Sequence, residues 1–307
     1  MAGMTPALAL FLLTLSGAQA AQAPAPLGYD EQLRLYTGDE ACSLLNAPER
    51  ALLGAAIKRS RDAAALAGYS ERRVSRHEDA VLGQFQPECA DPDLNHLARR
   101  HIANAAAMAS VSHLTLPGRR QDWMSVRGRQ GAGPVWRIAQ FTNDGEARFG
   151  LYELDGEPQA GLAFRTDAPP AGAILIFRNT SRLAEPADLT AGGLLNPPGG
   201  DPVGAWGAPA GAEKRIPASA RMDPDLAGAL TPAGGGGAVG FVFPVETVRQ
   251  LSALEPREGA RIELFDARGR TIATYWIEIG GLDAAMTLQT LPLRAPTAGI
   301  AARASAL

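Results

Sequence analysis

Few residues in this chain have the type and spacing that chemistry requires. Cys42 and Cys89 are the only two cysteines among 307 residues, and some 47 positions separate them. A redox pair would favour C-x-x-C and a metal site would need companion Cys or His residues close by; neither pattern surrounds them. They read as one structural disulfide. The four histidines are His77, His96, His101 and His113. His96 and His101 are five apart, which turns them to different faces of a helix, unlike the i, i+4 pair of a zinc-binding helix. Asp93 with His96 and His101 is therefore the only metal-ligand set to consider, and the bland reading is helix-surface and core-edge histidines. Asp91/Asp93 and Asp223/Asp225 have the spacing of a carboxylate pair, but Asp-Pro-Asp is also a common helix start. Gly-x-Ser-x-Gly and His-Glu-x-x-His are both absent. A disulfide would leave no cysteine to act as nucleophile.

A disulfide needs an oxidising compartment, and the N-terminus supplies the route. Ala7 to Leu15 is an apolar run, followed by Ser16, Gly17 and the small-x-small site Ala18-Gln19-Ala20. This is the pattern of a secretory signal peptide over residues 1–20, with cleavage after Ala20. The run is shorter than the roughly 20 apolar residues a membrane span needs, so no integral span is expected after cleavage. The expected location is periplasmic or secreted. Net charge is −3 and the charged residues are interspersed, which argues against a nucleic-acid partner. Only Lys58 and Lys214 are lysines. The arginines read first as codon bias, and pairs such as Arg72-Arg73 and Arg119-Arg120 as solvated charge.

The elements that position these residues change character near Pro117-Gly118. Residues 28–116 read as a helical domain of three to four helices. A short helix covers Tyr29 to Tyr36. A second starts at Asn46 with Pro48 in its first turn and stops at Gly68. Ser70 opens a third through about Phe85, and Asp91-Pro92 opens a fourth towards Leu114. Cys42 before the second helix and Cys89 after the third would meet when that pair is antiparallel. The closed loop would stabilise by roughly 3–4 kcal/mol in the chain-entropy model.

Residues 120–291 read as a β-rich domain, giving an α+β chain with an antiparallel β-sandwich-like second half. Strands are expected at Asp122–Arg127, Val135–Phe141, Arg148–Leu154, Ala160–Arg165 and Ala173–Phe177, as a meander with an Asp155-Gly156 hairpin. The Pro/Gly-rich stretch 178–237 reads as a flexible loop without phosphate-loop order. Val239–Phe243, a helix near Val245–Leu254, a hairpin around Asp266–Gly269 and a helix at Leu282–Leu291 follow. Residues 292–307 read as a disordered tail.

The hairpin and helix of Arg261 to Leu291, ending Gly-Leu-Asp-Ala-Ala-Met-Thr-Leu, resemble the C-terminal part of invasion-associated locus B-type proteins. The Asp122-Trp123 strand and Trp136-Arg137-Ile138-Ala139-Gln140 are similar to that family's opening strand pair. The resemblance covers roughly residues 123–291. It departs at Leu282, where the family has an aromatic, and lacks the family's sandwich cysteines. It implies an exported, envelope-associated β-sandwich. The whole chain also resembles exported proteins of α-proteobacteria. The leading expectation is a non-enzymatic binding or accessory protein without cofactor, acting on an envelope protein or small ligand. Trp206, in the long loop, is the expected exposed anchor, whereas Trp123, Trp136 and Trp276 lie in strands and are expected in the core. The alternatives are an envelope hydrolase acting on glycan or peptide, with Asp91, Asp93, His96 and His101 converging in an interdomain groove, or a metal-binding module.

Overall fold

A computed structural model describes residues 25–291, apart from 117, 119, 129–132, 143–144, 188–202 and 232. The expected signal peptide and C-terminal tail lie outside the described residues. Four helices come first: α1 (Tyr29–Cys42), α2 (Ala47–Leu66), α3 (Glu71–Leu82) and α4 (Pro92–Ala109). Their starts follow from the sequence. The Asn46 side chain accepts the Glu49 N–H while Glu49 reaches back to the Asn46 N–H, a closed capping box. Asp91 Oδ1 accepts the Asp93 N–H, with Pro92 in the first turn. The Cys42–Cys89 disulfide forms, its Cα atoms 5.4 Å apart, and ties the end of α1 to the approach to α4. The α1 helix runs six residues beyond the expected Tyr36, because Asp39 accepts the Leu45 N–H and pairs with Arg50 across the turn that follows.

Among the described residues eleven strands form two antiparallel sheets. The seven-stranded sheet has the order β1-β2-β3-β4-β5-β9-β8, with β1 His113–Leu116, β2 Trp123–Val126, β3 Val135–Thr142, β4 Ala147–Leu154, β5 Glu157–Thr166, β8 Ala220–Arg221 and β9 Gly237–Phe243. The four-stranded sheet has the order β11-β10-β6-β7, with β6 Gly172–Arg178, β7 Glu213–Pro217, β10 Gly259–Phe265 and β11 Thr271–Glu278. Three short helices follow among the described residues: α5 (Pro224–Leu230), α6 (Glu246–Ser252) and α7 (Leu282–Gln289). Among the described residues no helix is long and apolar enough to cross a membrane.

Alternation sends Trp123, Ile138, Phe149, Leu162, Phe164 and Phe241 from one sheet, and Leu175, Phe177, Ile262 and Ile277 from the other, into a shared core. Three expectations are corrected. The sheet begins at His113, ahead of the composition change at Pro117-Gly118, because β1 pairs with β2 in register Leu116↔Trp123. The meander ends at β5: Pro169-Pro170 block a tight hairpin, and β6 crosses to pair with β10 and β7 in the second sheet.

The third correction concerns the stretch read as a flexible loop, 178–237. Its part 188–202 lies outside the described residues, but 203–231 is ordered and carries β7, β8, α5 and a turn of 3-10 helix at Gly204–Trp206. Its glycines serve close packing: a Cβ at Gly204 would stand 2.9 Å from the Trp276 ring. Trp206 is half-buried rather than exposed, and the Arg257 guanidinium lies 4.7 Å from its ring centroid. Trp123, Trp136 and Trp276 are buried, as expected.

The two halves of the chain meet along α2. Leu53 is fully buried among the helices with Leu35, Leu94 and Ile102, and Ile57 packs beside it. One and two positions before Leu53, Leu52 and Ala51 pack against the sandwich core.

Candidate functional site

A site-like hollow among the described residues lies on this seam. A cleft of about 560 Å³ opens between Gln32 of α1, Ala56, Arg59, Ser60, Asp62 and Ala63 of α2, Leu116 at the end of β1, and the loop residues Leu27, Gly118 and Gly281. The helix period places Asp62 here: Ala51, Ala55, Lys58 and Asp62 follow at steps of four, three and four, one stripe of α2 facing α7. At its end Asp62 Oδ2 accepts the Gly281 N–H at 3.2 Å. Gly281 caps α7 with φ of 85°, a left-handed conformation that glycine adopts without strain. One turn back, Lys58 Nζ pairs with Asp283 Oδ2 at 2.7 Å.

Burial pushes the Asp62 carboxyl up to about 6, with the Asp283 charge adding to the rise and the Gly281 N–H, Lys58 and Arg59 opposing it. Asp62 therefore changes charge near neutrality. The other polar groups are pre-positioned. Gln32 Nε2 donates to the Leu27 carbonyl at 2.8 Å and its Oε1 accepts the Ser60 hydroxyl at 3.1 Å. The cleft thus offers one protonatable carboxyl, fixed amide and hydroxyl groups, a guanidinium and an apolar wall. That set could hydrogen-bond a ligand carrying donors on an aliphatic frame.

The residues singled out by sequence do not converge there. His101 is buried in α4, its Nε2 2.8 Å from the Glu49 carbonyl, and burial lowers its pKa. His96 and Asp93 are exposed on the same helix, and Asp91 serves as its cap. Asp93, His96 and His101 do not meet, and among the described residues no three His, Cys, Asp or Glu side chains are grouped to hold a metal ion. Asp223 likewise caps α5 through the Asp225 and Leu226 N–H groups. His77 lies 2.7 Å from Asp30 and stacks beside Tyr29 in a second, smaller cleft with Tyr69 and Arg73. His113 is exposed on the edge strand β1.

Compared with known protein families, curated proteins and solved structures, the chain has no significant match.

Proposed function

We propose that this is an exported, envelope-associated binding or accessory protein without catalytic activity, and that the cleft at the α1–α2–α7 seam receives a peptide-like segment of an envelope partner. The observation that carries this reading is the cleft itself: its amide, hydroxyl and carboxyl groups are each anchored by a protein neighbour before any ligand arrives, which favours recognition. The Cys42–Cys89 disulfide supports the compartment, since such bonds persist outside reducing cytosol. The resemblance of residues 123–291 to invasion-associated locus B-type proteins supports the same setting. Trp206, half-covered by Arg257, offers only part of its ring to a partner.

The test is site-specific photocrosslinking in the periplasm. A crosslinker at Ala56, inside the cleft, is expected to trap one envelope protein that a crosslinker at Ala267, in the exposed β10–β11 turn, does not. Equal capture from both positions, or none from Ala56, overturns the reading.

One observation favours a second reading, that of an envelope hydrolase. A carboxyl titrating at about 6 has the pKa of a general acid, and Asp62 is the group to test. Turnover of cell-wall fragments by the wild type and not by Asp62→Asn would replace the binding assignment.

A further inference from the structure

The cleft at the end of α2 holds two opposite charges that do not meet. Arg59 and Asp62 both line it, three residues apart on one helix, a spacing that sets their Cβ atoms about 5–6 Å apart. The Arg59 charge opposes the rise in the Asp62 pKa, yet the two form no salt bridge. Arg59 is exposed and has no hydrogen-bond or ion-pair partner among the described residues. Asp62 Oδ2 accepts the Gly281 N–H, while Oδ1 has no partner among them and stays open to solvent. The neighbouring charges are already matched, Lys58 of α2 with Asp283 of α7 at 2.7 Å. With Asp62 ionised, the cleft therefore presents one free anion and one free cation side by side.

The rest of the wall selects further. Pro26, Leu27, Ala56, Ala63 and Leu116 make it apolar, and the polar groups between them, Gln32 and Ser60, are hydrogen-bonded to each other and to the Leu27 carbonyl. A charged ligand side chain would find no counter-charge there. At about 560 Å³ the cleft falls within the roughly 300–1,000 Å³ usual for small-molecule sites. A lone ammonium would meet Asp62 and be repelled by Arg59, and a lone carboxylate would meet the reverse. A zwitterion with both charges on one carbon satisfies the pair.

We propose that this cleft binds a free aliphatic α-amino acid, its ammonium on Asp62 Oδ1, its carboxylate on the Arg59 guanidinium and its side chain along Ala56, Ala63 and Leu116. This ligand shares the cleft with the partner segment, and its assignment rests on the reading of that cleft as a binding site. Charge-assisted hydrogen bonds hold both of its ends. The ammonium selects the ionised form of Asp62, so binding weakens as pH falls below about 6.

Calorimetric titration of the full disulfide-bonded protein with L-leucine tests this, beside 4-methylpentanoate, which lacks the ammonium, and 3-methylbutylamine, which lacks the carboxylate. Saturable leucine binding is expected at pH 7, at least about tenfold tighter than that of either analogue, and weakened at least about tenfold in Arg59→Gln and in Asp62→Asn. Arg59 is exposed, and Asp62→Asn keeps an acceptor for the Gly281 N–H, so both variants retain the fold. At pH 5 leucine binding to the wild type should fall about tenfold, following the ionised fraction of a carboxyl that titrates at about 6. No saturable leucine binding, either analogue bound as tightly as leucine, full affinity in either variant, or equal affinity at pH 5 and pH 7 each overturns the proposal. Crosslinking from Ala56 judges the partner segment separately: absent leucine binding with that crosslink intact removes the amino acid alone, and leucine binding without the crosslink removes the partner segment alone.

Discussion

Gln140 holds Glu278 at two points: its Oε1 accepts the Glu278 N–H at 2.8 Å and its Nε2 donates to the Glu278 carbonyl at 3.1 Å. The two residues belong to different sheets, Gln140 to β3 and Glu278 to the end of β11, which is the edge strand of the smaller sheet. A side-chain amide thus stands where a neighbouring strand would have offered its own N–H and C=O. Trp123 Nε1 adds a second donor to the same carbonyl at 2.9 Å, and the Glu278 carboxylate accepts the Arg120 and Gln121 N–H groups of the loop entering β2. The sheets are fastened by polar contacts at this end as well as by their shared core.

Gln140→Ala leaves a buried N–H without its acceptor and a buried carbonyl with one donor fewer. A loss of about 2–4 kcal/mol is expected, from roughly 1–3 for the N–H left unpaired and less for the carbonyl, which keeps the Trp123 donor. Urea denaturation of the two proteins measures it directly.

The ion pair of Arg178 and Glu258 is buried on both sides, with two contacts of 2.6 Å between guanidinium and carboxylate. Arg178 also donates to the Leu183 and Ala184 carbonyls, so it anchors the first turn after β6. Arg178→Met strands a buried carboxylate and is expected to cost about 3–5 kcal/mol; the double variant with Glu258→Leu should recover much of that loss. A double-mutant cycle in urea shows whether the pair or the packing carries the effect.

Stability should fall as pH rises through the range in which Asp62 ionises. The folded protein holds this proton up to about pH 6, against 3.8 for an ordinary aspartate. Its contribution to folding is therefore complete below about pH 4 and lost as pH passes through about 6. Asp62→Asn keeps an acceptor for the Gly281 N–H without the charge. It is expected to gain about 1–2 kcal/mol over wild type at pH 7.5 and none at pH 4, read from Tm measured across that interval.

Loss of the disulfide should lower the stability of the whole molecule, since α2 joins the helices to the sandwich core. Cys42→Ala with Cys89→Ala is expected to cost about 3–4 kcal/mol, from a closed loop of 47 residues. Mass spectrometry of the untreated wild type should give a mass two hydrogens below its reduced form.

What could be read from the sequence was local. Asn46-Ala47-Pro48-Glu49 and Asp91-Pro92-Asp93 announce helix starts through side chains that reach only three residues, and both caps form as the residues require. The alternation in Val135–Thr142 and Ala147–Leu154 likewise needs nothing beyond the strand itself. The crossing of β6 into the second sheet was hidden because its partners, β10 and β7, lie tens of residues away, and an apolar strand reads the same in either sheet. Four-residue β1 is too short for alternation to stand out. The Pro/Gly-rich stretch misleads for a different reason: Gly204 is there to let Trp276 approach, and a packing glycine is spelled like a flexible one. Asp62 had a signal, being the one acid between Glu49 and Glu71 and lying on the Ala51–Ala55–Lys58 stripe. That stripe shows that Asp62 faces something; only the fold shows that it faces Gly281.

The two-sided use of α2 has a consequence for how the molecule comes apart. Leu53 and Ile57 belong to one core while Ala51 and Leu52 belong to the other, so no cut in the chain separates the halves without baring apolar surface on both. Cooperativity is built into that single helix. Heating should give one transition, and a fragment starting at Gln121 would display the exposed flank of α7 and aggregate. The helical region and the sandwich were readable as two segments, but the apolar contacts of α2 belong to both cores.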